Sequence, residues 1–181
     1  MNGLNFTTMK VTASVILACI CMFFLQMFNS EILYKFGLYG GSLMQQGVYR
    51  LFTYAFLHGG LYHIMMNMVS FSNMGMSIEP SIGAKKYCLL LFVTLITSGL
   101  AVIFLSRPGT ITVGLSGVIF GVFGYYVSTL VISGSIQNEY IRSSILRILL
   151  PNVIISLMPG VSWQGHLGGF IGGFVFGLLM H

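Results

Sequence analysis

No aspartate occurs in the 181 residues, and charged residues of all kinds make up only 6% of them. A soluble domain carries about 25% charged residues, so this scarcity excludes an ordinary soluble protein. Hydrophobic residues account for 56% of the chain. The composition therefore predicts an integral membrane protein, and the length suits a single domain over residues 1–181.

The missing residues also exclude several kinds of catalytic or binding site. Without aspartate, neither a Ser-His-Asp triad nor an aspartyl protease can form, and Glu31, Glu79 and Glu139 are poorly placed as substitutes. A zinc protease needs two histidines four residues apart with a glutamate between, but His58 and His63 are five apart and enclose none. The three cysteines are not at metal-ligand spacing, and the net charge of +5 is scattered. We therefore expect no metal, no other cofactor and no nucleic-acid partner.

Apolar runs that approach the length of a membrane span recur six times along the chain. A helix needs about 20 apolar residues to cross a bilayer. The fifth run is short and contains Pro151, which predicts a kinked or tilted helix. The stretch 29–60 is too polar to span and rich in aromatic residues, which favours a loop with short helical pieces at the membrane interface. The predicted fold is an all-α bundle of six transmembrane helices, at residues 11–28, 61–78, 87–105, 115–133, 145–159 and 164–180.

The placement of basic residues predicts the orientation of this bundle. Cytoplasmic loops carry an excess of lysine and arginine. With the N-terminus inside, five basic residues lie on the cytoplasmic side and three on the outer side. We therefore expect both chain ends in the cytoplasm. The inner residues are Lys10, Lys85, Lys86, Arg142 and Arg147, and the outer ones are Lys35, Arg50 and Arg107.

Polar residues at the start of the second, fourth and sixth runs would then share one depth near the outer side. Ser116 begins the fourth run and His166 the sixth, while His63 and Asn67 share one face of the second. Each alone could serve only a structural bond between helices. Together they predict a Ser-His dyad in which His166 is the general base. Because no carboxylate stands behind His166, helix packing would have to fix its ring. His63, Asn67 and the backbone N–H of Ser116 can donate to an oxyanion.

Regularly spaced glycines accompany both members of the predicted dyad. Gly117 and Gly121 follow Ser116, whereas Gly169 and Gly173 follow His166. Small residues at this spacing let two membrane helices approach closely. Such a contact could bring the Ser116 hydroxyl within hydrogen-bond reach of His166, although close packing without catalysis would use the same glycines.

Five sequence motifs together resemble those of rhomboid intramembrane serine proteases. They are "VYRLFTYAFLHGG" around Arg50, "HGGLYHIMMN" with His58, "EPSIG" from Glu79, "GLSGVIFG" from Gly114 and "GHLGGFIGG" in the sixth run. Their order along a six-helix chain covers most of the sequence. Two positions depart from the family pattern: Tyr49 replaces a tryptophan, and Phe120 replaces a tyrosine that packs on the catalytic histidine in many bacterial members.

The resemblance implies a minimal six-helix rhomboid core in a bacterial inner membrane, surrounded by lipid, with a wet cavity open to the outer side. Ser116 would attack a peptide carbonyl of a single-pass membrane protein near its outer boundary, and His166 would transfer the proton. His63, Asn67 and the Ser116 backbone would hold the oxyanion. Supporting roles would fall to His58, Arg50, Glu79, Phe120, Gly114, Gly117, Gly121, Gly169 and Gly173.

Two other functions compete with this hypothesis. A non-catalytic rhomboid-like protein would bind membrane clients, and loss of the serine or histidine would favour it, yet both residues are present. A transporter or channel expects polar residues along the full depth of the bundle. Here they cluster near the predicted outer side.

Overall fold

The computed structural model describes residues 9–41 and 47–180. Helices dominate these two ranges, which confirms the all-α class. They are α1 (Lys10–Phe28), α2 (Glu31–Phe36), α3 (Arg50–Thr53), α4 (Leu61–Ile82), α5 (Ala84–Leu105), α6 (Ser116–Ile132), α7 (Glu139–Ser156) and α8 (Trp163–Leu179), with short 3₁₀ turns at Tyr54–Phe56 and Ser135–Gln137. The strands β1 (Leu38–Tyr39) and β2 (Ile111–Thr112) form a small antiparallel sheet.

Six of these helices correspond to the six predicted runs, but fewer meet the requirements for a membrane span. Within the described ranges, α1 and α5 are long and apolar enough to cross a bilayer. α6 is apolar but has 17 residues, a length of about 25 Å at 1.5 Å per residue. The count of six transmembrane helices therefore stays a prediction.

The helix α7 begins six residues before the predicted fifth run and ends at Ser156 rather than at residue 159. Its first turn is capped by the Asn138 side chain, which accepts hydrogen bonds from the N–H groups of Tyr140 and Ile141 at 2.9 and 3.3 Å. The prediction followed hydrophobic residues and missed this polar first turn. Pro151 lies inside the helix.

Glu79 lies inside α4, so the predicted boundary at residue 78 was wrong. The helix ends at Ile82 and is followed by Gly83, whose φ of +79° suits glycine. The buried Glu79 carboxylate accepts hydrogen bonds from the backbone N–H groups of Val11 and Thr12, both at 2.8 Å, and from the Thr12 hydroxyl at 2.6 Å. It thus satisfies donors at the start of α1 that the helix itself leaves unpaired.

The core lies where α5, α6 and α8 meet, and glycines allow their backbones to touch. A Cβ atom added to Gly169 would overlap the backbone oxygen of Gly117, and one added to Gly173 would overlap that of Gly121. Gly121 also faces Thr94 of α5. We call this arrangement the glycine seam. It places the first turns of α6 and α8 side by side.

The stretch 29–60 forms short helices as predicted, but it also contributes β1, which was not predicted. β1 pairs with β2, with Leu38 opposite Thr112. The Gly114 N–H also donates to the Tyr54 carbonyl oxygen at 3.0 Å. Because β2 and Gly114 immediately precede α6, the first loop fixes the chain that leads into Ser116.

Candidate active site

Ser116 and His166 form a direct hydrogen bond across the glycine seam. Ser116 Oγ lies 2.8 Å from His166 Nε2. Ser116 is the first residue of α6, and His166 lies in the first turn of α8. That turn is capped by Ser162, whose hydroxyl accepts from the Gly165 N–H at 3.3 Å. The arrangement can transfer a proton from a serine hydroxyl to an imidazole.

The Phe120 ring stacks on the His166 imidazole. Their centroids are 4.2 Å apart and their planes differ by 9°. Phe120 follows Ser116 by one helical turn, so the nucleophile candidate and the stacking ring share one face of α6. The stack limits rotation of the imidazole without requiring the hydroxyl of a tyrosine.

A second serine, which the sequence did not indicate, binds the other nitrogen of the same ring. Ser156 Oγ lies 2.6 Å from His166 Nδ1, and both side chains are buried. We expected helix packing to fix this ring, and Ser156 adds a hydrogen bond to the packing that Phe120 provides. Ser156 lies in the fifth run, ten residues before His166, and no sequence motif links the two positions.

His63 packs against the glycine that precedes the nucleophile candidate. Its Nδ1 accepts a hydrogen bond from the Gly59 N–H at 3.3 Å, so a neutral ring carries its proton on Nε2. A Cβ atom at Gly114 would lie 2.8 Å from that Nε2, and the φ of +118° there also favours glycine. The His63 Nε2–H is thus a hydrogen-bond donor beside the loop that leads to Ser116.

The buried side chain of Asn67 lies one turn along α4 from His63. Its amide nitrogen donates to the His63 carbonyl oxygen at 2.8 Å, which leaves one amide N–H. Across the described ranges, neither Asn67 nor His63 hydrogen-bonds to Ser116 or His166. The structure therefore brings Ser116 and His166 together but does not place a hydrogen bond from either of these two side chains to them.

His58 and Arg50 anchor the first loop. The His58 backbone exchanges two hydrogen bonds of 3.1 Å with the Gln26 side chain, a contact that was not predicted. Gln26 is a polar residue near the end of the first apolar run, and this was the available signal. The His58 ring packs edge-on against His63, 5.1 Å between centroids, and burial lowers the pKa of His58 to about 4. Arg50 Nη1 donates to two carbonyl oxygens, those of Tyr34 and Gly37, each at 2.7 Å.

A crevice of about 390 Å³ lies beside the dyad between α4, α6 and α7. Phe120 forms part of its wall and also stacks on His166, so this ring lies between the crevice and the imidazole. In the part of the chain that the structure describes, no three histidine, cysteine or acidic side chains are grouped as metal ligands. The crevice walls include Ser70, Met74, Ile119, Phe120, Tyr126 and Asn152.

Comparison with known proteins identifies the family. A family model described as a rhomboid domain matches residues 45–181. RHOMBOID-like protein 1 of Arabidopsis thaliana is 32% identical over 134 residues, which cover 73% of this chain and 34% of that protein. Rhomboid protease GluP of Bacillus subtilis is 31% identical over 149 residues, which cover 81% of this chain and 29% of that protein. Rhomboid-like protease 1 of Toxoplasma gondii is 28% identical over 156 residues, which cover 83% and 53%.

The chain belongs to the rhomboid family of membrane-embedded proteins, as the five motifs predicted. Two of these relatives bear protease names, so protease function is supported at the level of the family. The chain spans between about a third and a half of the length of five curated relatives that it matches.

Proposed function

We propose that this chain is an intramembrane serine endopeptidase with Ser116 as nucleophile and His166 as general base. The observation that carries the proposal is the 2.8 Å hydrogen bond between Ser116 Oγ and His166 Nε2. Two further features support it: both nitrogens of the imidazole have partners, and the ring stacks on Phe120. An imidazole whose orientation is fixed in this way is preorganised to accept the Ser116 proton at Nε2.

In the proposed reaction, Ser116 Oγ bonds to the carbonyl carbon of a peptide while its proton moves to His166 Nε2. The carbonyl oxygen becomes an oxyanion that needs donors. Three are available nearby: the unpaired backbone N–H of Ser116, the His63 Nε2–H and the remaining N–H of Asn67. His166 then gives its proton to the leaving amine, and water releases the acyl group by the reverse sequence of transfers.

The proposed substrate is the helix of a single-pass membrane protein, cut near its outer boundary. The crevice between α4, α6 and α7 supports lateral approach, because part of its wall is Phe120, the ring that stacks on His166. A peptide bond inside a helix is shielded from a nucleophile, so the substrate must unwind locally. Glycine or proline near the cleavage site should therefore favour cleavage.

We further propose that residues 1–181 form one domain with six membrane-spanning helices and both ends in the cytoplasm of a bacterial cell, embedded in its inner membrane. The distribution of basic residues supports this orientation. A cysteine introduced beside Arg107 should react with a membrane-impermeant reagent from outside, and one beside Lys85 should not. The opposite pattern would contradict the orientation.

A fluorophosphonate probe and a transmembrane model substrate test the activity. We expect the probe to label Ser116, and Ser116→Ala and His166→Ala each to reduce cleavage at least about a thousandfold. Ser143→Ala is the matched control, because Ser143 is a half-buried serine whose hydroxyl donates to the Tyr140 carbonyl within α7. Undiminished cleavage by purified Ser116→Ala protein would contradict the proposed mechanism. A folded wild-type protein that neither reacts nor cleaves would favour the client-binding alternative.

A further inference from the structure

Ser156 has two hydrogen-bonding neighbours that together determine where its proton lies. Its Oγ is 2.6 Å from His166 Nδ1 and 2.7 Å from the backbone carbonyl oxygen of Asn152, one turn earlier in α7. A carbonyl oxygen can only accept. Both contacts are hydrogen bonds when the Ser156 O–H donates to Asn152 and the oxygen of the same hydroxyl accepts from the imidazole.

This assignment extends to both nitrogens of His166. If Ser156 accepts at Nδ1, a neutral ring carries its proton there. The other nitrogen, Nε2, then presents a lone pair to the Ser116 hydroxyl 2.8 Å away. That is the form in which an imidazole can take a proton from serine. The opposite tautomer would place an N–H against Ser116 and could not act as a base.

We propose that Ser156 is a positioning residue that performs, without charge, the task of the third member of a catalytic triad. It holds the reactive tautomer of His166 and continues to accept the Nδ1–H bond when Nε2 takes the proton of Ser116. The inference rests on the proposed function, and it adds a role for α7, the helix that carries Ser156. Because the hydroxyl is neutral, it stabilises the imidazolium less than a carboxylate would.

The placement of Ser156 links this role to the position of a lightly packed helix. In α7, the buried residues are Ile145 and Ser156 alone, and Ser156 is the last residue of the helix. The tautomer of His166 is therefore set from a helix end that has little other packing to hold it. Any shift of that helix end away from α8 would release Nδ1 and slow proton transfer.

The test uses the full chain with ¹⁵N-labelled histidine and reads the His166 tautomer directly by NMR. In the wild type we expect the proton on Nδ1, and in Ser156→Ala a mixture of tautomers. Ser156→Ala should also lower kcat about tenfold to a hundredfold with little change in KM, less than the ~10⁴-fold loss seen when a triad is forced into the wrong tautomer. Ser156→Thr keeps the hydroxyl and should restore kcat to within about threefold of the wild type.

Several outcomes separate this proposal from the proposed function. A wild-type protein with the proton on Nε2 would overturn the role of Ser156 even if Ser156→Ala fails to fold. So would a Ser156→Ala protein with an unchanged tautomer and unchanged kcat. If the tautomer changes as expected but Ser116→Ala still cleaves, the positioning of His166 stands and the proposed nucleophile fails. Ser143→Ala, on the same helix, should change neither the tautomer of His166 nor kcat.

Discussion

The helices on either side of His166 are packed in very different ways. On one side, α6 and α8 meet through glycines so closely that a single added carbon would overlap a backbone oxygen. On the other side, α7 leaves most of its hydrophobic side chains exposed and approaches His166 through the Ser156 hydroxyl. Ser116 therefore lies across a close backbone contact from His166, whereas Ser156, which we propose orients that ring, lies on a lightly packed helix.

Because of this difference, we expect the two sides of His166 to have separate roles. Backbone contact fixes the distance between Ser116 and His166, because close-packed backbones cannot slide without breaking many contacts at once. A helix that leaves most of its side chains exposed can move at little cost and admit a substrate. The comparison predicts a large effect of changes in the glycine seam and a small effect of changes on the exposed face of α7.

Gly173→Leu should have the largest effect on stability and cleavage together. A Cβ atom at this position overlaps the backbone oxygen of Gly121, which cannot move aside as a flexible side chain could. We expect a loss of about 3 kcal/mol in the free energy of unfolding, at the upper end of ordinary overpacking. Cleavage should fall with it, because α8 can no longer hold His166 against Ser116. Thermal unfolding and cleavage rates in detergent measure both effects.

The matched control for Gly173 is Ile171→Leu, an exchange at an exposed position of the same helix. It should change neither stability nor cleavage. If Gly173→Leu were equally harmless, the two backbones would not be in contact, and the comparison between the two sides of His166 would fail.

The sequence predicted the helices and the proximity of Ser116 to His166 because those signals are local. Apolar runs define the long helices, glycine spacing defines the seam, and the motifs around Ser116 and His166 each lie within one helix. Ser156 could not be predicted, because its contact depends on how α7 lies against α8. The pairing of β1 with β2 is equally non-local and involves four residues, too few to give a pattern. The start of α7 was missed because its first turn is polar, although asparagine is a favoured N-cap residue and Asn138 could have indicated the helix start.

Asn67→Ala and His63→Ala test the proposed oxyanion donors on α4. We expect their effect to be smaller than that of Gly173→Leu. Each removes one donor near Ser116 while the backbone N–H remains. Loss of a single oxyanion donor typically costs about tenfold to a thousandfold in kcat, with little change in KM. The double variant should lose less than the product of the two single effects, because both donors serve one developing charge. Turnover per probe-reactive site measures this separately from folding.

A structural role for Asn67 would give a different result. Its amide bonds to the His63 carbonyl, so its loss could instead loosen α4 and lower the melting temperature. Normal turnover per reactive site in a destabilised Asn67→Ala protein would remove Asn67 from the oxyanion donors. An Asn67→Ala protein with wild-type melting temperature and reduced kcat would keep it there.

Ile154→Ala should have the smallest effect, although it lies two residues from Ser156. Its side chain is 65% exposed on α7, so truncation removes few protein contacts. We expect a change in the free energy of unfolding within about 0.5 kcal/mol and a kcat within about twofold of the wild type. The matched truncation is Ile103→Ala in α5, where the side chain is 4% exposed and its loss should cost about 2–5 kcal/mol. Thermal unfolding of both proteins in the same detergent measures the two changes in the free energy of unfolding. Equal losses at the two positions would show that α7 is packed as firmly as the core. The difference in packing between the two sides of His166 would then be absent, and Ser156 would not lie on a lightly packed helix.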